Sequence, residues 1–244
     1  MPRFFIPPSA IDGEVAYITG DDARHIARSL RMAVGDLVDL SDGVGNDYTA
    51  RLVRIRDEEC AAEICERHEA ERESPVKITL YMAMPKGDKL EQVTQKAVEL
   101  GAAEIVPFES ERCIKRPAAD KIAKITDRLN RIALEAAKQC GRSRLPIVRP
   151  ICRLSDVLSE LGGYSLVLFC YEAERAVSIK EALERADKPE SIAVIVGAEG
   201  GFSESEAEKI VGAGAVSVTL GRRILRCETA PDYALAAISY AYEL

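Results

Sequence analysis

The sequence is poor in the residues that most metal and redox sites need. Only two histidines occur, His25 and His68, so a histidine-based metal site or nucleophile has little to use. The seven cysteines include no Cys-x-x-Cys pair, and their odd number argues against a disulfide framework. No apolar run reaches membrane-spanning length, and Met1–Ile6 is too short for a signal peptide. We therefore expect a cytoplasmic protein with reduced thiols and no metal.

The glycine patterns of common nucleotide sites are also absent. Glycines at 197, 200 and 201 follow an apolar run at 191–196, but their spacing matches neither Gly-x-Gly-x-x-Gly nor the P-loop. This argues against an ATP phosphate site and against a nucleotide-dependent oxidoreductase. The same glycines still permit a ligand to approach the backbone closely.

The most informative stretch that is present is Leu220–Asp232. It contains three arginines and a glutamate together with Ile224 and Leu225, between a β-type run and a helix-type run. Thr229 and Asp232 have the spacing of a helix capping box. Turns that only reverse the chain rarely contain arginines and large aliphatic residues. We expect this stretch to bind something anionic.

Charge is distributed unevenly around a net charge of −7. Residues 57–73 carry eight acids against two basic residues, whereas residues 111–149 carry eleven Lys/Arg against four acids. One basic tract on an acidic chain indicates a specific anionic partner, although the predicted helix 119–140 can also be an ordinary solvated face.

The chain changes character near residue 73. Residues 1–72 show short alternating runs with glycine punctuation and one helix at 22–32, which is typical of a small β-barrel. The polar segment 66–75 is a plausible linker. From residue 76, strands and helices alternate, which predicts a mostly parallel sheet with helices on both faces. We expect strands at 15–18, 37–40, 48–55, 61–65, 77–83, 104–108, 165–170, 191–196 and 215–220. We expect helices at 88–101, 119–140, from 178 onward, from 203 onward and at 230–243.

Three of the expected strands end in loops of similar character. These loops are 169–172, 196–202 and the stretch from Leu220 described above. Ligands of parallel sheets bind at the carboxyl ends of the strands, so the three loops are expected to form one site.

Two strings in these loops resemble a known family. Gly197-Ala-Glu-Gly-Gly-Phe-Ser203 followed by Leu220-Gly-Arg-Arg-Ile-Leu-Arg-Cys-Glu-Thr-Ala230 is similar to the signature of the ribosomal RNA small subunit methyltransferase E family, within the SPOUT superfamily of knotted methyltransferases. The segments Pro2–Phe5, His25–Arg31, Lys86–Gly101 and Arg131–Arg144 also resemble segments of that family. Ala198 stands where the family usually has proline.

The resemblance implies two domains. Residues 1–72 would form an RNA-binding barrel that resembles a PUA domain, and residues 73–244 a SPOUT domain tied in a trefoil knot. It also implies S-adenosylmethionine-dependent methylation of N3 of a uridine in 16S rRNA of the small ribosomal subunit, by a homodimer.

The catalytic candidates are Arg226 and Glu228. Arg226 would stabilise charge on the uridine carbonyl oxygens. Glu228 is either the base that receives the N3 proton or, with slightly more support, a group that orients Arg226 and caps the helix. The expected cofactor-binding residues are Leu168, Phe169, Tyr171, Glu172, Val196, Gly197, Glu199, Gly200, Gly201, Leu220, Gly221, Ile224, Leu225, Arg226 and Thr229. The expected RNA-binding residues are Arg3, Arg24, Arg28, Arg31, Lys86, Lys89, Arg112, Lys115, Arg116, Arg142 and Arg144.

Two other functions fit the same motifs. A SPOUT methyltransferase could act on another RNA site or base atom, because nothing physical in the sequence selects one uridine. An RNA-binding ribosome assembly factor with a vestigial pocket would not bind S-adenosylmethionine, although the pocket glycines are all present.

Overall fold

The computed structural model describes residues 1–69, 72–114 and 116–244. Contacts divide the chain into two compact units. The first combines Met1–Glu73 with Ala137–Leu145, and the second combines Ser74–Ala136 with Pro146–Leu244. The membership of 137–145 in the first unit is a feature that the sequence did not indicate.

The first unit is built around a six-stranded sheet. Its strands follow the order β1-β4-β5-β6-β3-β2, and all neighbours are antiparallel except the parallel pair β1–β4. Apolar residues that alternate along these strands, such as Ile18, Leu40 and Leu52, pack into one buried core. The strands are β1 (Arg3–Phe5), β2 (Ile11–Asp12), β3 (Val15–Thr19), β4 (Leu37–Ser41), β5 (Asn46–Arg54) and β6 (Glu59–Glu69).

Two details of this unit differ from expectation. The helix expected at 22–32 is shorter: α1 (Gly20–Arg24) continues as a π-helical turn at His25–Ser29. The expected linker at 66–75 is wrong at its start, because β6 continues to Glu69 and pairs there with Asn46 of β5. Residues 70 and 71 lie outside the described part of the chain.

A buried cluster of charged and polar side chains holds 137–145 in the first unit. We call Arg3, Asp47, Glu73, Arg142 and Ser143 the closed cluster. Arg142 Nη2 lies 2.7 Å from Glu73 Oε2, and Arg3 Nη2 lies 2.6 Å from Asp47 Oδ1. Ser143 Oγ donates to Asp47 Oδ2 at 2.6 Å.

The closed cluster changes the expectation for two arginines. The side chains of Arg3 and Arg142 are only 9% and 5% exposed, so their guanidinium groups are used inside the unit. The structure therefore corrects the expectation that these two residues bind RNA phosphates.

The second unit contains a parallel sheet of seven strands. The order is β10-β8-β7-β12-β11-β13, with β9 paired to β8, and each of these pairings is parallel. The strands are β7 (Lys77–Ala83), β8 (Glu104–Glu109), β9 (Ile147–Val148), β10 (Cys152–Arg153), β11 (Leu166–Cys170), β12 (Ser191–Val196) and β13 (Val216–Val218). The fold is α/β, as predicted, and the trefoil knot stays a prediction.

In the described part of the chain, six α-helices accompany this sheet. They are α2 (Lys89–Glu99), α3 (Ala119–Cys140), α4 (Leu154–Glu160), α5 (Ile179–Arg185), α6 (Glu204–Gly212) and α7 (Thr229–Tyr242). None of the described helices is both long and apolar enough to cross a membrane.

Four helix starts carry the spacing of a capping box in the sequence: Asp88/Glu91, Ser178/Glu181, Ser203/Glu206 and Thr229/Asp232. Ser178 and Ser203 form the box. Asp88 occupies the N-cap position of α2 but makes no side-chain cap. The box expected for Thr229 and Asp232 is wrong. Glu228 occupies the N-cap position of α7, and Asp232 instead accepts a hydrogen bond from Lys96 at 2.9 Å.

Candidate active site

The three predicted loops meet at one edge of the parallel sheet. They follow β11, β12 and β13, and β11 lies between the other two strands in the sheet. Together the three loops line a cavity of about 720 Å³. We call residues 197–201 the glycine loop and residues 220–228 the arginine loop. The cavity is lined by Lys89, Cys170, Tyr171, Glu172, Arg175, Val196, Gly197, Ala198, Glu199, Gly200, Gly201, Val218, Thr219, Leu220, Gly221, Arg222, Arg223, Ile224, Leu225, Arg226, Cys227 and Ala230.

Most of the residues expected to bind a cofactor lie in this wall. Three do not. Leu168 and Phe169 are fully buried within β11, and Thr229 is the first residue of α7. The Phe169 ring stacks on Tyr171 with centroids 5.1 Å apart and meets Phe202 edge-on, so it supports the wall from behind. The expected residues in the wall are Tyr171, Glu172, Val196, Gly197, Glu199, Gly200, Gly201, Leu220, Gly221, Ile224, Leu225 and Arg226.

The glycine loop needs its glycines for a reason that the sequence did not show. A Cβ on Gly201, where φ is +62°, would lie 1.9 Å from Glu172 Oε1. A Cβ on Gly197 would lie 2.9 Å from the Phe202 ring, and one on Gly200 would lie 3.0 Å from Arg112 Cβ. At Gly197 and Gly200 the neighbouring ring and backbone leave too little room for a side chain. At Gly201 the Glu172 carboxylate could swing away, so the positive φ is the lasting reason for glycine there.

Lys89 connects the glycine loop to the arginine loop. It is the first residue of α2, and its Nζ donates to Glu199 Oε1 at 2.9 Å and lies 3.1 Å from Glu228 Oε2. The Cys227 thiol donates to the same Glu228 oxygen at 3.2 Å. The backbone amide of Lys86 also donates to Glu199, at 3.2 Å. We call Lys89, Glu199, Cys227 and Glu228 the open cluster.

Ionisation in the open cluster follows these contacts. The hydrogen bonds to Glu199 and Glu228 raise the pKa of Lys89. Burial opposes ionisation of Glu199, but the Lys89 hydrogen bond and backbone amides lower its pKa overall. A backbone amide, the Cys227 thiol and Lys89 lower the pKa of Glu228. Both carboxyl groups are therefore ionised at neutral pH, next to one ammonium group.

The cysteines of the cavity wall are not activated nucleophiles. Burial, together with the hydrogen bond to Glu228, raises the pKa of Cys227 to about 12. Burial alone raises the pKa of Cys170 to about 12. Because the thiolate is the reactive form, both thiols are inert at neutral pH.

The arginine loop presents three exposed guanidinium groups at the cavity. Arg222, Arg223 and Arg226 form no ion pair with any residue that the structure describes, which leaves their charge available to a ligand. The Arg226 carbonyl accepts hydrogen bonds at 2.9 Å from the amides of Thr229 and Ala230, which fixes the end of the loop to the start of α7. Only Arg226 of these three was among the expected site residues.

The structure separates the expected RNA-binding residues into groups. Arg112 Nη1 donates to the Gly200 carbonyl at 3.2 Å, so Arg112, like Lys86 and Lys89, contacts the glycine loop. In the first unit, Arg24 and Arg28 form exposed pairs with Asp21 and Asp57. Lys115 lies outside the described residues. The expected residues that remain exposed are Arg24, Arg28, Arg31, Lys86, Arg112, Arg116 and Arg144.

The sequence missed several wall residues. Arg175, Thr219, Arg222 and Arg223 line the cavity without having been expected there, and Lys89 was expected to bind RNA. Proximity to the loop motifs could have indicated the first four. Among the described residues, no group of three or more His, Cys, Asp or Glu side chains could hold a metal ion.

Comparison with known proteins places both units in families. Residues 72–239 match the RNA methyltransferase domain family, and residues 18–65 match the RNA methyltransferase PUA domain family. The chain is 34% identical to ribosomal RNA small subunit methyltransferase E of Bacillus subtilis, over all of this chain and 98% of that protein. It is 30% identical to the Synechocystis protein of the same name, over 99% of this chain and 78% of that protein.

Solved structures agree with these relatives. The methyltransferase E of Neisseria gonorrhoeae, solved bound to S-adenosyl methionine, is 35% identical with a TM-score of 0.85, over 98% of this chain and 97% of that one. A methyltransferase described as putative from Legionella pneumophila, also solved with this cofactor, is 32% identical with a TM-score of 0.85, over the same shares of the two chains.

Fold, cavity and comparisons together define an RNA methyltransferase domain preceded by a PUA domain. More specifically, the chain belongs to the ribosomal RNA small subunit methyltransferase E family.

Proposed function

We propose that this protein is an S-adenosylmethionine-dependent methyltransferase that modifies N3 of a uridine in 16S rRNA of the small ribosomal subunit. One observation carries the proposal: three loops at the carboxyl edge of a parallel sheet converge on a cavity of about 720 Å³ whose rim bears arginines that form no ion pair among the described residues. Family membership supports the activity and the rRNA substrate. The choice of a uridine N3 rests on the family resemblance.

The cavity suits S-adenosylmethionine in size and lining. Its volume is within the range of about 300–1,000 Å³ that is usual for small-molecule sites. Backbone groups of the glycine loop can contact polar parts of the ligand, while Val196, Leu220 and Leu225 offer apolar surface. S-adenosylmethionine would supply an electrophilic methyl group on a sulfonium. We assign the cofactor-binding role to the expected residues that line the cavity, except Arg226, which is assigned to the RNA base.

Arg226 is assigned the electrostatic part of the reaction. Uridine N3 is a weakly acidic imide nitrogen, so loss of its proton to water puts negative charge on the neighbouring carbonyl oxygens. The Arg226 guanidinium is exposed at the cavity and has no carboxylate partner among the described residues. Its planar fork can donate to such an oxygen and stabilise the charge.

Glu228 is assigned a positioning role. Its carboxylate accepts from Cys227 and pairs with Lys89, so it is already engaged by two neighbours. It makes no side-chain cap to α7, which corrects the expectation that it caps that helix. We expect Glu228→Gln to lower the rate by less than about tenfold, whereas loss of a general base costs about 10²–10⁴-fold.

The two domains have separate tasks in this proposal. Residues 1–72 act as the RNA-binding domain and residues 73–244 as the methyltransferase domain. Exposed arginines of the first unit, such as Arg24 and Arg28, contact phosphates, which contributes affinity and salt dependence and no sequence reading. A target base within structured RNA also has to be turned out of its stack, at a cost of about a few kcal/mol.

The decisive experiment combines the protein with labelled S-adenosylmethionine and small ribosomal subunits that lack the modification. Digestion of the RNA and mass spectrometry of the nucleosides should show N3-methyluridine at a single position. The Arg226→Ala variant should bind the cofactor normally and transfer little label. Label on another base atom would favour a methyltransferase with a different RNA site. Failure of the wild-type protein to bind the cofactor would favour a non-catalytic assembly factor.

A homodimer in the cytoplasm completes the proposal. Ala234 and Ile238 of α7 are fully buried within the chain, so packing inside the unit accounts for them. Tyr233 and Tyr240 of the same helix are 46% and 75% exposed and are available to a second copy. Light scattering at micromolar concentration should give twice the mass of one chain. The mass of a single chain would contradict the homodimer.

A further inference from the structure

We propose that Lys89 is a positioning residue for methyl transfer: its ammonium group joins the glycine loop to the arginine loop and thereby keeps Arg226 in place. This inference rests on the proposed function for its catalytic consequence. Its structural part, a link between two loops, concerns this chain alone.

The geometry of the link is specific to one side chain. Lys89 Nζ lies 2.9 Å from Glu199 in the glycine loop and 3.1 Å from Glu228 in the arginine loop. Its side chain reaches into the cavity wall from α2, a third segment of the chain. Lys89 is therefore a common partner of the two loops. Without its ammonium group, each loop would present a carboxylate to the other.

The charges explain why the link matters. Glu199 and Glu228 are both ionised, and the ammonium of Lys89 is the cation that both contact. Without the ammonium group, the carboxylates of Glu199 and Glu228, which both lie close to its position, repel each other. The arginine loop is the segment that would move, because its residues 221–224 and 226 are exposed.

Glu228 is close to Arg226 along the chain, and this closeness connects the Lys89 link to catalysis. Only Cys227 separates them, and the Cys227 thiol donates to Glu228 at 3.2 Å while contacting Lys89 at 3.7 Å. A shift of Glu228 therefore moves the backbone that carries Arg226. Misplacement of a reacting group by about 1 Å can cost about a hundredfold in rate.

The same helix offers a matched control. Lys96 of α2 pairs with Asp232 of α7 at 2.9 Å, so it also joins α2 to the C-terminal segment through one carboxylate. Lys96 does not line the cavity. Lys89→Met and Lys96→Met each remove one ammonium and one contact between α2 and the α7 region, but only Lys89→Met separates the two loops.

The first measurement is hydrogen exchange on the protein without cofactor or RNA. Lys89→Met should accelerate exchange severalfold in the arginine loop and in the glycine loop, and Lys89→Arg should restore slow exchange. Lys96→Met should leave both loops as in the wild-type protein. Unchanged exchange in Lys89→Met, or equal acceleration in both methionine variants, would overturn the link. This measurement is independent of whether the protein methylates RNA.

The second measurement is steady-state methylation of small subunits. Lys89→Met should lower kcat by about ten- to a hundredfold with little change in KM for the subunit, and Lys89→Arg should recover most of the rate. A raised KM with unchanged kcat would show that Lys89 contacts RNA instead, and would overturn the positioning role. If the wild-type protein itself transfers no methyl group, the proposed function fails, while the exchange result still decides whether Lys89 holds the loops.

Discussion

The two units of this chain each contain a charged cluster, and the clusters differ in their surroundings. In the closed cluster of the first unit, the paired side chains of Arg3, Asp47, Glu73 and Arg142 are between 5% and 16% exposed. In the open cluster of the second unit, the side chains of Lys89, Glu199 and Glu228 are between 19% and 30% exposed. The closed cluster is largely shielded from water, and the open cluster borders a cavity.

This difference separates structural charge from functional charge. The closed cluster joins Ala137–Leu145 to the rest of the first unit through side chains that are satisfied inside the protein. The open cluster lies beside three arginines whose charge is unpaired within the described chain, which is the arrangement that an anionic or polar ligand can use. The number of arginines does not distinguish the structural cluster from the functional one. The burial of each charged side chain and its ion-pair partners make the distinction.

The largest expected effect is the loss of Glu73 in the closed cluster. Its carboxylate accepts from Arg142 Nε and Nη2 and from the amides of Ser143 and Arg144. Removing one partner of a buried ion pair costs about 3–5 kcal/mol. Glu73→Ala should lower the free energy of unfolding by that amount, measured by urea denaturation.

The matching change in the open cluster is Glu199→Gln. Because Glu199 is partly exposed, its loss should change the free energy of unfolding by less than about 1 kcal/mol. Equal destabilisation by the two variants would remove the distinction between the clusters.

The next effect is on the reaction rate. Arg226→Ala removes the group assigned to the developing negative charge, so kcat should fall by about 10²–10³-fold. Stability and cofactor affinity should stay close to the wild-type values. Arg185→Ala, on the exposed face of α5, is a control that should keep full activity. Full activity of the Arg226 variant would refute the assignment.

A smaller effect is expected in the glycine loop. Gly201→Ala combines a positive φ of +62° with a contact of 1.9 Å to the Glu172 carboxylate. It should destabilise the protein by about 1–3 kcal/mol, because a side chain is strained at this φ, and it should weaken cofactor binding in calorimetry, because the Glu172 side chain has to swing away from its place in the cavity wall. Gly162→Ala, where a Cβ would meet nothing within 4 Å, should bind the cofactor normally. Normal binding by the Gly201 variant would show that the site tolerates this change.

The smallest expected effect concerns an exposed pair of the first unit. Arg28 and Asp57 form an ion pair at the surface, and exposed pairs add little stability. Arg28→Ala should leave the thermal midpoint close to that of the wild type. If Arg28 contacts a phosphate, the slope of log affinity against log salt should fall by about one. An unchanged slope would remove Arg28 from the RNA surface.

The sequence predicted the fold where the apolar pattern is continuous. The expected strands at 77–83 and 191–196 and the expected helix at 119–140 have the same bounds as β7, β12 and α3. Helix α4 was missed because its seven residues are too few to show helical periodicity and Arg153 before it is not a usual N-cap residue. The equally short α5 was predicted from the capping signal of Ser178 and Glu181. The expected strand at 215–220 ends at Val218, since the chain leaves the sheet there to form the cavity wall.

The site was predicted less completely, for a physical reason. Loop motifs carry local spacing, so the glycine and arginine loops were recognisable in sequence. Lys89 is more than a hundred residues from Glu199 and Glu228, and ion pairs between such distant segments leave no pattern. The burial of Arg3 and Arg142 is likewise a property of tertiary packing, so their misassignment to RNA could not be avoided from charge alone.

Hydrogen exchange with and without S-adenosylmethionine shows whether the three loops form one cofactor site. We expect slower exchange on cofactor addition in three segments at once: the loop after β11, the glycine loop and the arginine loop. We expect no change around the closed cluster. Protection that is absent from the three loops, or that appears around Glu73 and Arg142 instead, would contradict the assignment of the site.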